Sequence, residues 1–110
     1  IYDTISDNAA NAGIVTGGAP VRPEDIDMRR IGAIVSRNGE VEETGLGAGV
    51  LGHPVRGIVW LARRLGRHGM GIKAGEILLS GSFIRPVECP PGTYIHADFG
   101  DFGTVETRFA

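Results

Sequence analysis

The clearest local pattern of apolar and polar residues is the stretch RRIGAIVSRNGEVEETG at positions 29–45. Strand-like runs lie on both sides of Asn38-Gly39, and an Asn-Gly pair readily adopts the positive φ angles of a type I′ turn. This pattern predicts a β-hairpin centred on the two residues.

Helical spacing begins after Pro54, which suits the first position of a helix. Apolar residues then recur every three or four positions, and Gly69 can end the helix. We therefore predict a helix from Val55 to His68, with an apolar face made of Val55, Ile58, Val59, Ala62 and Leu65 and with Leu61 beside it. A shorter helix is predicted over 3–12, where Asp3 or Thr4 can act as the cap and Gly13 as the stop.

The remaining apolar runs predict strands bounded by glycine and proline. They are a brief strand at 13–15 and longer ones at Glu76–Ser80, Phe83–Glu88, Tyr94–Phe99 and Thr104–Phe109. The order is mostly β with two helices and has no regular βαβ repeat. It favours an α+β fold in which an antiparallel or mixed β roll packs against helices.

Composition narrows the class of protein. The 110 residues suit one domain, and a net charge of −2 argues against a nucleic-acid partner. The single cysteine, Cys89, excludes an internal disulfide and favours a reducing, cytoplasmic setting. No apolar run approaches the roughly 20 residues of a membrane helix, and the first residues do not resemble a signal peptide. Because the chain starts at Ile1 rather than Met, we expect a processed chain or one piece of a longer one.

The residues that could act as metal ligands, bases or nucleophiles are few and scattered along the chain. Glu40 and Glu42 would share one strand face, as a hard cation requires, although carboxylates beside a hairpin turn usually face water. His96 and Asp98 would share a face of a later strand. The histidine could act there as a ligand or as a base, or the two residues could belong to an ordinary solvated strand face. His53 is expected at a helix start and His68 at a helix end. Cys89 has no basic neighbour in the sequence to activate it.

Two polar groupings are denser. On the predicted first helix, Asp3 and Asp7 share a face, as do Thr4 and Asn8, so this helix either lines a site or is an exposed turn. The second grouping, Ser80-Gly81-Ser82, interrupts an apolar run. It is either a plain bulge or a place where backbone and hydroxyl groups approach a ligand.

Three stretches, in order, resemble the C-terminal half of the 2-keto-4-pentenoate hydratase / 2-oxohepta-3-ene-1,7-dioate hydratase family. They are DTISDNAANAG, RNGEVEETGLGAGVLGHPVRGIVWLARRLGRHG and ILLSGSFIRPVECPPGTYIHADFGDFGTVETRFA. The resemblance implies the mixed β-sandwich roll of fumarylacetoacetate hydrolase, with two helices, and residues 1–110 as the C-terminal part of one catalytic domain.

The resemblance also implies an activity. Members are metal-dependent hydro-lyases that add water to a 2-hydroxy-2,4-dienoate during meta-cleavage catabolism of aromatic compounds, and they form homo-oligomers. The likeness is stronger to the hydratases, especially the one acting on the seven-carbon diacid. The alternatives are a 4-oxalocrotonate decarboxylase, which can also be a partner enzyme, and a non-catalytic module with the same fold.

The resemblance implies a divided site. Asp7 and Asn8 are expected to be catalytic, and Asp3, Thr4, Ser80, Gly81 and Ser82 to bind the 2-oxo acid substrate. The family's Mg²⁺ or Mn²⁺ is held by glutamates that lie upstream of the matched segment. Glu40 and Glu42 do not align with them, so no metal ligand is expected in this chain. Arg85 or a helix arginine is a candidate for a distal carboxylate.

Overall fold

The computed structural model describes residues 11–110, which form an α+β fold with one four-stranded antiparallel sheet and one α-helix. The strands are β1 (Gly32–Arg37), β2 (Glu40–Leu46), β3 (Tyr94–Asp98) and β4 (Thr104–Arg108), and the helix is α1 (Val55–Gly66). Their order in the sheet is β2-β1-β3-β4. The α+β class is confirmed. The sandwich roll is not, because the described strands make a single sheet. The predicted helix at 3–12 falls almost wholly outside the described residues.

The predicted hairpin is confirmed. β1 and β2 flank Asn38 and Gly39, whose φ angles are 50° and 86°, as a type I′ turn requires. Asn38 also joins this turn to β3, since its N–H donates to the Tyr94 carbonyl at 2.9 Å and its Oδ1 accepts from the Tyr94 N–H at 2.9 Å. The hairpin turn therefore fixes the start of the neighbouring strand.

Gly39→Ala is expected to destabilise the protein, because a Cβ in the left-handed region costs about 1–2 kcal/mol. The expected loss of stability does not come from a steric clash, since nothing lies within 4 Å of the added Cβ. Thermal unfolding of the complete polypeptide measures the effect. Gly71→Ala is the matched control, because Gly71 has equally open space and no positive φ. Equal midpoints for the two variants would contradict the turn assignment.

Helix α1 begins as predicted at Val55 but ends at Gly66 rather than at His68. The chain then closes with two hydrogen bonds, from Met70 N–H to the Leu65 carbonyl and from Gly69 N–H to the Gly66 carbonyl. This is a Schellman motif, with Gly69 at a φ of 70°. The predicted apolar face is partly wrong. Val59 and Ala62 are exposed, because α1 turns Gly57, Ile58, Leu61 and Leu65 inward.

The strands predicted at 13–15, Glu76–Ser80 and Phe83–Glu88 are wrong for the described residues. These segments have no assigned strand, the chain bends at Phe83 and Ile84, and no backbone group of residues 77–88 pairs with another backbone group in the described part of the chain. An apolar run becomes a strand only when a neighbour supplies the hydrogen-bonding partners. The other two predicted strands, at Tyr94–Phe99 and Thr104–Phe109, have such neighbours and correspond to β3 and β4.

The apolar core of the described residues is small. Ala33 and Val35 of β1 and Val50 are its buried apolar members, and Thr93 is buried with its hydroxyl donating to the Pro90 carbonyl at 2.6 Å. Within the described range, no helix is both long enough and apolar enough to span a bilayer.

Two short 3-10 turns, Pro23–Asp25 and Met28–Arg30, precede β1, and the second is capped by Asp27. The Asp27 carboxylate accepts from the Arg29 N–H at 3.1 Å and from the Arg29 guanidinium at 3.0 and 2.9 Å. The side-chain hydrogen bond from Arg29 lowers the pKa of Asp27 from 3.8 to about 2. This carboxylate therefore stabilises the turn above pH 3.8, and its contribution is lost as the pH falls toward 2.

We expect the Asp27 carboxyl to titrate near pH 2 in the folded protein, as read by its carboxyl carbon shift in NMR. Arg29→Gln should raise this midpoint toward 3.8, because it removes the charged donor. A wild-type midpoint already at 3.8 would contradict the capping geometry.

Candidate functional site

Ser80 lies on the wall of a cleft of about 380 Å³ between the sheet and the loops around it. The chain segment after α1 delivers this serine, and its carbonyl lies 3.4 Å from where a Cβ of Gly57 would stand. A Cβ at position 57 would make an ordinary van der Waals contact with this carbonyl, so residue 80 lies close to α1.

Three phenylalanines also line this cleft. Phe99 and Phe102 come from the connection between β3 and β4, which closes with a hydrogen bond from Phe99 N–H to the Gly103 carbonyl at 3.0 Å. Phe83 comes from the segment just after Ser80. The rest of the lining is small or aliphatic: Gly17, Gly18, Ala19, Met28, Ile31, Pro54, Gly103 and Val105.

The loop at 17–19 is held against this connection at very short range. Ala19 N–H donates to the Phe102 carbonyl at 3.2 Å, and a Cβ on Gly18 would overlap the same carbonyl. Gly18 also has a φ of 67°, which favours glycine. The cleft is therefore mainly apolar, and Ser80 supplies the side-chain hydroxyl in its described lining. A mostly apolar concavity with few polar groups is typical of small-molecule sites.

The other two residues of the Ser-Gly-Ser stretch lie apart from this lining. Gly81 has a φ of 107°, so the chain turns at this point. The Ser82 hydroxyl donates to the Ile84 carbonyl at 2.9 Å and accepts from the Ile84 N–H at 3.2 Å. Ser82 and Arg85 line a different cavity, of about 390 Å³. The structure thus separates Ser80 from Ser82, and Asp3, Thr4, Asp7 and Asn8 lie outside the described residues.

The carboxylates of Glu40 and Glu42 do not converge. Glu42 lies at an irregularity in the β1–β2 register, and its carboxylate makes an ion pair with Arg37 at 2.6 Å. Glu40 is exposed beside the turn. Within residues 11–110, no group of three or more His, Cys, Asp or Glu side chains could hold a metal ion. The described residues therefore do not fit a metal centre.

His96 belongs to a polar face of the sheet. It pairs in register with Glu106, whose carboxylate accepts a hydrogen bond from the Tyr94 hydroxyl. That hydrogen bond raises the pKa of Tyr94. Asp98 accepts from the Gly100 N–H at 2.8 Å and lines a larger hollow of about 620 Å³ with Arg30 and Asp101. Of the residues predicted from the resemblance, the three that the structure describes, Ser80, Gly81 and Ser82, do not line that hollow.

The remaining candidates have structural roles or none. His53 Nδ1 accepts from the Val55 N–H at 3.2 Å, which confirms its predicted place at the helix start. Cys89 is half-buried, with its thiol 3.4 Å from the Val87 carbonyl. The sequence did not identify Phe99 or Phe102 as cleft residues. The repeated Phe-Gly spacing of FGDFG at 99–103 is the signal that could have found them.

Comparisons with known proteins agree on one group of enzymes. No family model matches the chain. The chain is 50% identical over 109 residues to "2-oxo-hept-4-ene-1,7-dioate hydratase" of Escherichia coli and covers 41% of that protein. It is 39% identical over 107 residues to "2-keto-4-pentenoate hydratase" of Paraburkholderia xenovorans, covering 40% of it. These matches include 99% and 97% of the chain, respectively.

Decarboxylases are also among the relatives. "4-Oxalocrotonate decarboxylase" of Pseudomonas putida is 37% identical over 109 residues, which is 99% of this chain and 41% of that protein. A solved structure of 4-oxalocrotonate decarboxylase from Pseudomonas putida G7, complexed with magnesium and adipate, matches 97% of the chain with a TM-score of 0.92 and 36% identity. The chain spans 41% of that structure, so it has about two fifths of the length of the relatives it matches.

Proposed function

The chain belongs to the family that contains the 2-keto-4-pentenoate and 2-oxo-hept-4-ene-1,7-dioate hydratases and 4-oxalocrotonate decarboxylase, and we propose that it is the C-terminal part of a metal-dependent hydratase. The substrate class is a 2-hydroxy-2,4-dienoate or its 2-oxo-enoate tautomer. The observation that carries the proposal is 50% identity to a hydratase over 99% of the chain.

The Ser80 cleft supports this substrate class. Its hydroxyl can donate a hydrogen bond to the carboxylate or 2-oxo oxygen of the substrate. The apolar walls built from Phe83, Phe99 and Phe102 suit a flat conjugated chain. The described lining holds no lysine or arginine, so a distal carboxylate would need a partner from elsewhere in the complete polypeptide.

The reaction is an acid–base sequence. The dienol loses its 2-hydroxyl proton and gains a proton at C5, the end of the diene, which gives a 2-oxo-3-enoate that is electrophilic at C4. Water then adds at C4 and a proton at C3, giving a 4-hydroxy-2-oxo acid. Asp7 and Asn8 are proposed to take part in these proton transfers, and Asp3 and Thr4 to help bind the substrate.

The metal is proposed to be Mg²⁺ or Mn²⁺, with its ligands outside these 110 residues. The magnesium complex of the decarboxylase relative supports a divalent cation in the family. The described residues offer no ligand set of their own, so none of them is assigned a role in binding the cation.

A decarboxylase is the second candidate, because a solved 4-oxalocrotonate decarboxylase matches the fold with a TM-score of 0.92. The lower identity of 37% to the decarboxylase of P. putida favours the hydratase. We further propose a homo-oligomeric enzyme of the cytoplasm that can work beside a partner decarboxylase. The single cysteine of the chain suits a reducing compartment.

The direct test uses the complete polypeptide with Mg²⁺ and freshly prepared 2-hydroxypenta-2,4-dienoate, then the seven-carbon diacid. We expect metal-dependent loss of dienol absorbance, abolished by EDTA, without release of CO₂. The faster substrate identifies the preferred chain length. CO₂ release from 4-oxalocrotonate would transfer the protein to the decarboxylases. No turnover of any substrate would support the non-catalytic module.

A further inference from the structure

Ile31 and Phe102 lie where three cavities meet. Both residues line the Ser80 cleft of about 380 Å³, the hollow of about 620 Å³ that Asp98 lines, and a third cavity of about 400 Å³ beside Val21. No other residue is common to the described lining of all three. These two residues, called the partition below, therefore separate the Ser80 cleft from two neighbouring spaces.

The backbone that carries the Phe102 ring is held from two sides. Within the β3–β4 connection, Phe102 N–H donates to the Phe99 carbonyl at 3.4 Å. From the other side, Ala19 N–H donates to the Phe102 carbonyl at 3.2 Å. Gly103 packs so closely on Gly18 that an added Cβ would lie 3.0 Å from the Gly18 Cα. These contacts resist a shift of the backbone, so the ring stays in the partition.

The size of the Phe102 side chain then decides how far the Ser80 cleft extends. The side chain is half-buried, and a ring held by its neighbours does not compress to make room for a ligand. Beyond the ring lies the hollow of about 620 Å³ rather than packed protein of the described range. A smaller residue at position 102 would therefore join the cleft to existing space.

We propose that Phe102 is a specificity-determining residue that restricts the Ser80 cleft to dienoates with a narrow far end. This inference rests on the proposed function, because it places the carboxylate end of the substrate at Ser80 and the far end against Phe102. A substrate with a phenyl group at C5 is excluded by the ring. With alanine at position 102, the phenyl group of the substrate would occupy the space that the ring has left.

The test compares two substrates of the complete polypeptide with Mg²⁺ present: 2-hydroxypenta-2,4-dienoate and the same dienoate with a phenyl group at C5. The quantity measured is the ratio of kcat/KM for the phenyl substrate to kcat/KM for the unsubstituted one. Phe102→Ala should raise this ratio at least about tenfold, since a single methylene group in an apolar pocket already discriminates about 10- to 200-fold. Phe102→Leu should raise the ratio less, and it carries the same test if the alanine variant does not fold.

Phe83→Ala is the matched control. Phe83 contributes the same ring to the Ser80 cleft, but it lines neither of the two neighbouring cavities. Its loss should weaken the binding of both substrates and leave the ratio at the wild-type value. An unchanged ratio in Phe102→Ala would overturn the proposal. An equal rise in Phe83→Ala would also overturn it, because the loss of any ring in the cleft would then have the same effect.

Binding without turnover separates this proposal from the hydratase assignment. Calorimetry of the complete polypeptide with Mg²⁺ compares pentanoate with 5-phenylpentanoate, and Phe102→Ala should shift their affinity ratio toward the phenyl acid. If the wild type turned over no dienoate but the affinity ratio still shifted, the hydratase assignment would fail and the partition would stand. Equal affinity ratios in the wild type and Phe102→Ala would overturn the partition whatever the reaction is.

Discussion

Gly47→Ala is expected to lower the stability of the protein more than any other single methyl addition discussed above. Gly47 is buried in a short 3-10 turn, and its N–H donates to the Ile31 carbonyl at 2.7 Å. A Cβ at this position would overlap the Met28 carbonyl oxygen and lie 3.4 Å from Pro54 Cγ. The obstacle is backbone, so no side-chain rotation can relieve it.

The size of the effect follows from what must move. Overpacking costs about 1–3 kcal/mol, and loss of the hydrogen bond to Ile31 adds about 1 kcal/mol. A loss of about 3 kcal/mol lowers the midpoint of thermal unfolding by roughly 6–12 °C for a polypeptide of 150–250 residues. Scanning calorimetry or dye-based unfolding of the complete polypeptide measures it.

Gly66→Ala is the matched control for this experiment. Gly66 is the last residue of α1, and nothing lies within 4 Å of an added Cβ. Alanine favours helix over glycine by about 0.5–1 kcal/mol, so this variant should be as stable as the wild type or slightly more. If Gly47→Ala unfolded at the same temperature as Gly66→Ala, the close packing of the 47–49 turn on Met28 would be wrong.

Local signals made the hairpin, α1 and the last two strands predictable. The Asn38-Gly39 turn chemistry acts between adjacent residues, and Pro54 and Gly69 mark the ends of a helical region in the same local way. The runs at 76–80 and 83–88 carry an equally clear strand pattern. They are not strands here because strand formation depends on a partner that a single run of sequence does not contain.

In the candidate site, too, local sequence patterns indicate some residues, and only the tertiary fold brings the others together. The hydroxyls around Gly81 indicated Ser80 as a candidate site residue, because a glycine that interrupts an apolar run is a local signal. The Ser82 hydroxyl, which looked equivalent, bonds to the Ile84 backbone instead. Phe99 and Phe102 reach the cleft through the β3–β4 connection, about 20 residues further along the chain, and only the tertiary fold reveals this kind of proximity.

Ser80→Ala is expected to reduce kcat/KM of the complete enzyme on its preferred dienoate. A hydrogen bond to a charged group is worth about 1.5–3 kcal/mol, which corresponds to a loss of roughly 10- to 150-fold. If the hydroxyl binds the substrate carboxylate equally in the ground and transition states, the loss appears in KM. If it binds the 2-oxo oxygen as charge develops there, the loss appears in kcat. Steady-state kinetics with Mg²⁺ present separates the two.

Two further serine variants make the result specific to the cleft. Ser36→Ala removes a half-buried hydroxyl from β1, at a residue that pairs with His96 on the polar face of the sheet, so kcat/KM should be unchanged. Ser82→Ala breaks the turn hydrogen bonds to Ile84 and should act mainly on stability, by about 0.5–1.5 kcal/mol. A Ser80→Ala enzyme with wild-type kcat/KM would remove Ser80 from the substrate site. A loss confined to Ser80, with Ser36→Ala fully active, would tie the apolar cleft to substrate binding, because the variants delete the same hydroxyl and differ only in where it lies.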